Sequence, residues 1–224
     1  MDLLNSSEIL RTYWSLPILA LVITFTGNTW INYLYPKALQ RDSLSFPEHI
    51  SQRAKWRKPL LFFSLMLCFG KAWSLSSMPA LFYILIAISF LLLMTVTDFE
   101  QQIILNEMVY FFALFGLCYT LHLQLPLTEH LIASIGAGSL FLFLAFISRG
   151  ALGGGDIKLV AALGLWLGIK ALLAVVIYGT IAGGIAASLL LLSKRIYRKQ
   201  YIAYGPYFAL SGIGVLLKWL HTIF

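Results

Sequence analysis

The feature that most constrains this chain is the recurrence of apolar runs close to the length that crosses a bilayer, separated by short polar breaks. About 20 consecutive apolar residues span the hydrocarbon core as a helix. Runs approaching this length fall at about residues 16–35, 59–73, 79–97, 104–123, 131–148, 159–168, 171–192 and 205–224. In lipid only helices and closed barrels satisfy every backbone polar group, and runs this long read as helices. The expectation is therefore an all-α, polytopic integral membrane protein with about eight transmembrane helices. The second and sixth runs are short for a full span and call for local thinning of the bilayer or an end below its surface. Composition agrees, since 60% hydrophobic and 11% charged residues leave too little polar surface to coat a water-soluble globule.

The net charge of +7 has a membrane explanation. Six of the sixteen Lys and Arg residues lie between Pro36 and Lys58 and four between Lys194 and Lys199. Short loops rich in Lys and Arg face the cytoplasm. With residues 36–58 inside, the alternation of spans puts the N-terminus outside, residues 98–103, 149–158 and 193–204 inside, and the C-terminus outside. The outer connections then hold Lys71, Lys170 and the polar stretch around Glu129. No aromatic-interleaved basic surface points to a nucleic-acid partner. No small-residue cleavage site follows the first apolar run, so a removable signal peptide is not expected. Cys68 and Cys118 sit in apolar segments without a Cys-x-x-Cys partner and read as buried, inert thiols. His122 and His130 fall at the predicted outer face, and no histidine reads as a metal ligand. Glycines cluster in the later runs, at Gly136–Gly138, Gly164–Gly168 and Gly179–Gly184, where small residues let helices approach closely.

Against this background the stretch GALGGGDIKLVAALGLW, residues 150–166, stands out. An acid near a bilayer core marks a functional site by default. Gly153, Gly154 and Gly155 remove side chains just before Asp156, permitting unusual dihedrals and the close approach of an extended strand. The third run ends in TVTDFEQQIILNE, which places Asp98 at the cytoplasmic end of one span while Asp156 starts another. Two carboxylates at one depth do not both ionise easily, so the pair holds a shared proton. One can then take a proton from water while the other donates to a carbonyl oxygen or leaving amine. The alternative is that each acid is a helix cap or pairs with a cation such as Lys158.

These residues carry a resemblance. Gly153-Gly154-Gly155-Asp156-Ile157-Lys158 matches the Gly-x-Gly-Asp-x-Lys motif of the type IV prepilin peptidases. TDFEQQIILNE resembles that family's aspartate-bearing stretch, with Leu105 where its proline is expected, and YGPYFALSG at Tyr204–Gly212 is similar to its Phe-Gly-Pro entry into the last helix. WRKPLLFFSLMLCFG resembles its Arg-Tyr-Pro entry into the second helix, and TFTGNTWINYLYP is a looser echo of its glycine and asparagine segment.

The resemblance implies an aspartic endopeptidase of the cytoplasmic membrane that needs no cofactor for peptide hydrolysis. Asp98 and Asp156 would be catalytic, with Gly153, Gly154, Gly155, Lys158 and Glu100 in the active-site loop or substrate-binding surface. Its substrates would be prepilins or pseudopilins, and its setting the machinery of pili, secretion or competence. Glu100 and Glu107 could attract a basic leader, or form a solvated acidic face. Many members also methylate the new N-terminal amine with S-adenosylmethionine; no glycine-rich dinucleotide fingerprint supports that here independently. Many carry two Cys-x-x-Cys pairs suited to zinc between the first two helices, whereas residues 39–58 contain no cysteine and one histidine, His49, so zinc is not expected. The chain divides into residues 1–58, a first helix with a reduced basic loop, and residues 59–224, a membrane-embedded peptidase domain. Two readings compete: a proton-coupled transporter using the paired acids, and a catalytically inactive assembly scaffold.

Overall fold

A computed structural model describes residues 6–42, 50–75, 78–148, 152–193 and 204–223. His49, Ser76, Arg149 and the second basic cluster at Lys194–Lys199 lie outside the described residues. All regular structure among the described residues is helical: α1 Ser6–Asp42, α2 Ile50–Leu75, α3 Met78–Gln101, α4 Asn106–His122, α5 Leu127–Ile147, α6 Gly154–Leu192 and α7 Gly205–Ile223. Among the described residues three stretches are long and apolar enough to cross a membrane, Ala80–Gln101, Leu127–Ile147 and Gly154–Leu192. Seven helices thus stand among the described residues where eight apolar segments were expected.

The first connection is shorter than the apolar runs imply. α1 continues through Pro36 to Asp42 and α2 begins at Ile50, ahead of Pro59. A helix does not stop where apolarity stops, because Lys, Arg and Gln favour helix nearly as well as Leu. The charge at residues 37–58 is thus largely carried on helical extensions.

The difference in helix count traces to Gly168. It lies inside α6 with φ 67° and ψ −174°, a left-handed φ that a residue with a Cβ adopts only under strain. Along the first part of α6, Asp156 adjoins Gly205 and Leu163 adjoins Gly212, so this part runs parallel to α7. Along the second part, Gly179 adjoins Phe208 and Gly183 adjoins Tyr204, so that part runs antiparallel to α7. The chain therefore turns back at Gly168. The break deprives the Leu165 carbonyl of its helical donor, and side chains replace it: Thr120 Oγ1 donates to it at 2.9 Å and His130 Nδ1 at 2.8 Å. His130 is accordingly a buried structural residue at the turn, with its proton on Nδ1 because a carbonyl can only accept.

α3 is the central element, packed against α1, α2, α4 and α7. Its buried face carries Ala80, Ile84, Ala87, Ile88 and Leu91. α5 is peripheral, packed mainly on α6, and turns Leu142, Phe143 and Phe146 outward, a surface compatible with lipid rather than water. The glycine clusters act in packing. A Cβ on Gly164 would lie 2.5 Å from the Ser134 backbone nitrogen, so α5 and α6 touch backbone to backbone there. Trp166 fits over Gly116, stacks between Phe112 and Tyr119, and donates its Nε1 proton to the Phe112 carbonyl at 2.8 Å, fixing the first part of α6 on α4. These contacts set the depth of the α6 N-terminus relative to the end of α3.

Candidate active site

Three helix ends meet at one place. Asp98 stands on the last turn of α3, Asp156 on the first turn of α6, and Gly205 opens α7. Both carboxyl groups are buried, at 3% and 6% exposure. A Cβ on Gly205 would lie 2.5 Å from Asp98 Oδ2 and 3.0 Å from Asp156 Oδ1. Those two oxygens are therefore separated by no more than the sum of these distances, with the glycine backbone and the Ile104 side chain beside them. The sequence expectation that the two acids share a depth is thus realised in the strongest sense, as a shared neighbour.

The two carboxylates differ in support. Asp156 sits three residues after the N-cap Gly153 and accepts backbone hydrogen bonds from Gly153, Tyr204 and Gly205. Reaching back to its own N-cap, it forms half of a capping box, and it also receives the free amides at the start of α7. Asp98 Oδ2 is buried without a hydrogen-bond partner. A buried orphan acceptor beside a second carboxylate is the kind of unsatisfied group that native structures keep for chemistry.

The glycine loop works by space rather than by dihedral freedom, which corrects the sequence expectation. Gly153 has φ −68° and ψ 136°, Gly154 and Gly155 are helical, and Gly168 is the positive-φ glycine among the described residues. A Cβ on Gly155 would stand 3.0 Å from Ile104 Cβ, and one on Gly153 would stand 3.3 Å from Asp156 Oδ2, while Gly154 has open space. The missing side chains let the start of α6 close onto the α3–α4 connection. That connection turns at Gln102, with φ 56°, and runs extended to Leu105. Leu105 holds φ −71°, within the range a proline ring would impose, so its replacement of the expected proline leaves the backbone path unchanged.

Lys158 is exposed and donates to Asn106 Oδ1 at 2.7 Å, tying the second turn of α6 to the first residue of α4. Glu100 is not part of an open acidic surface. It is buried, accepting from Arg57 Nε at 2.7 Å and Nη2 at 2.5 Å and from the Tyr35 hydroxyl at 2.9 Å. Arg57 Nη1 also donates to Asn32 Oδ1 at 2.7 Å and to Asn28 Oδ1 at 3.2 Å. At about 100° per residue, Glu100 points to the side of α3 opposite Asp98, and the network binds α1 and α2 to the turn that carries Asp98. Sequence reasoning missed this cluster and missed Gly205. The signals were two asparagines four apart inside the first apolar segment, an arginine just ahead of the second, and a Gly-Pro pair at a helix entry. Among the described residues no three metal-ligating side chains come together.

The transporter reading is not supported: both acids lie at helix ends rather than at mid-span, and similar proteins are peptidases. Residues 85–188 match the type IV leader peptidase family. A prepilin leader peptidase/N-methyltransferase of Bacillus subtilis (strain 168) is 34% identical over 136 residues, covering 59% of this chain and 54% of that protein. One of Dickeya chrysanthemi is 32% identical over 202 residues, covering 85% of this chain and 64% of that protein. One of Neisseria gonorrhoeae is 31% identical over 134 residues, covering 57% and 46% respectively. The chain spans between about half and two thirds of the length of these relatives. No solved structure matches it. Residues 85–188, the segment that matches the type IV leader peptidase family, carry both Asp98 and Asp156.

Proposed function

We propose that this chain is a membrane aspartic endopeptidase that removes the basic leader from type IV prepilins or pseudopilins. The observation that carries the reading is the convergence on Gly205 of the carboxylates of Asp98 and Asp156, both of which lie in the segment that matches the family. The pair holds one proton between them. One carboxylate takes a proton from water, the resulting hydroxide adds to the scissile carbonyl, and the other carboxyl protonates the leaving amine as the C–N bond breaks. The products are a leader ending in a carboxylate and a mature pilin with a free N-terminal amine. Gly154, with open space beside it, gives the substrate strand room near Asp156, while Gly153 clears the Asp156 carboxylate, Gly155 lets α6 close onto Ile104, and Lys158 holds the α4 end of the site through Asn106. Glu100 contributes by fixing α3 rather than by touching a leader.

In this reading the two parts of α6 are separate crossings, which gives eight, with the N-terminus outside and the acids at the cytoplasmic face of the cytoplasmic membrane, where a basic leader waits. Residues 59–224 form the peptidase domain, and residues 1–58 supply the first helix and the basic connection. The names of the relatives include N-methyltransferase; methylation of the new amine with S-adenosylmethionine, and service to pilus, secretion or competence machinery, extend the proposal by that likeness. Coexpression with a panel of prepilins tests it. The expected result is a gel shift from precursor to mature length in at least one. An unshifted precursor throughout, with the chain present in the membrane, contradicts it.

A further inference from the structure

Beyond the two aspartates, the site holds a second orphan atom. Gln101 is the last residue of α3 and 6% exposed, and its Oε1 is buried with no hydrogen-bond partner. Asp98 Oδ2 and Gln101 Oε1 are the two such side-chain atoms among the described residues. They stand three residues apart, hence on one face of the same helical turn. An unsatisfied buried acceptor is destabilising, so two on one turn, beside a second carboxylate, call for a donor that arrives with the ligand.

We infer that Gln101 is a substrate-binding residue whose side-chain carbonyl accepts a backbone N–H of the peptide strand next to the scissile bond. The inference rests on the peptidase reading. A substrate helix must be unwound locally for its amide to reach the aspartates, and each N–H freed in a dry site needs a new acceptor. Three side-chain acceptors on the same and adjoining helix ends already have donors. Asp156 is taken by the amides of Gly153, Tyr204 and Gly205, Glu100 by Arg57 and Tyr35, and Asn106 by Lys158. Asp98 is reserved for the reaction. Gln101 is left with a free acceptor one helical turn from Asp98.

The test uses Gln101→Met, which keeps the length of the side chain and removes its acceptor, with Gln101→Leu as a second variant. A role confined to the fold predicts that both lower the melting temperature in detergent. A substrate role predicts an unchanged or higher melting temperature, because an orphan polar group has been removed, with kcat/KM roughly tenfold lower through KM. The probe is a synthetic peptide with a short basic leader and an apolar segment, prepared with single amide-to-ester replacements at the two linkages on each side of the scissile bond. In the wild-type protein one ester should lower kcat/KM roughly tenfold; in Gln101→Met that same ester should have no further effect. Wild-type rates in both variants, ester losses that add to the substitution at every linkage, or melting temperatures that fall in both variants would overturn the inference. Failure of the wild-type protein to cut the all-amide peptide would overturn the peptidase reading itself, and this inference with it.

Discussion

Gly205→Ala is the smallest change that separates the two carboxylates. A Cβ there would stand 2.5 Å from Asp98 Oδ2, 2.8 Å from Ile104 Cδ1 and 3.0 Å from Asp156 Oδ1, against an ordinary contact of 3.4–4 Å. Neither α3 nor α6 can retreat freely, since Arg57 and Tyr35 hold Glu100 and Trp166 pins α6 to α4. The methyl group therefore displaces Asp98 by roughly 1 Å, and misplacement of a reacting group by that distance lowers the rate on the order of a hundredfold. Overpacking at such a site destabilises by about 1–3 kcal/mol, so the variant should remain folded with a reduced melting temperature. Gly184→Ala is the control, because a Cβ there meets nothing within 4 Å. The assay is cleavage of a synthetic prepilin peptide by the purified proteins in detergent, with thermal unfolding in parallel. Gly205→Ala with a wild-type kcat would refute the claim that the carboxylates need this space.

Arg57→Ala leaves Glu100 buried and unpaired, a change worth about 3–5 kcal/mol; thermal unfolding should show a large loss, and Glu100→Gln a smaller one. The rate of cleavage should be bell-shaped in pH: protonation of both aspartates at low pH removes the base and ionisation of both at high pH removes the acid, so each limb belongs to the coupled pair. A flat profile across both limbs would contradict a shared proton. For topology, with Cys68 and Cys118 replaced by alanine, cysteines introduced at Ser51 and Ser193 should be shielded from an impermeant thiol reagent in intact cells, and one at Ser76 should label. Labelling at Ser51 would invert the orientation.

What could be read from the sequence was what hydrophobic patterning encodes. The apolar runs located every helix, and the ends of the third and sixth runs placed Asp98 and Asp156 on the same side. The gap between residues 168 and 171 marked the place where α6 turns back, although the turn is made at the left-handed Gly168 itself and not by a loop. Helix ends were less legible, because Pro36 and Pro59 looked like boundaries and proved to lie within helices. Beyond the pairing of Asp98 with Asp156, tertiary partnership was not legible. Nothing local to Glu100 announces that Arg57, 43 positions earlier in the chain, will neutralise it, and nothing local to Gly205 announces that its missing side chain leaves room for two carboxylates. The glycines before Asp156 were visible, but their use as clearance for Ile104 depends on how α6 meets the α3–α4 connection.

The central claim is that Asp98 and Asp156 act as one unit. The most direct measurement is single-turnover cleavage of a synthetic prepilin peptide by purified Asp98→Asn, Asp156→Asn and the double variant, each first shown to be folded by thermal unfolding. A unit that needs both members loses activity as fully in each single variant as in the double, because groups acting together are non-additive. Cleavage near the wild-type rate by either single variant, or losses that simply multiply in the double, would contradict the account.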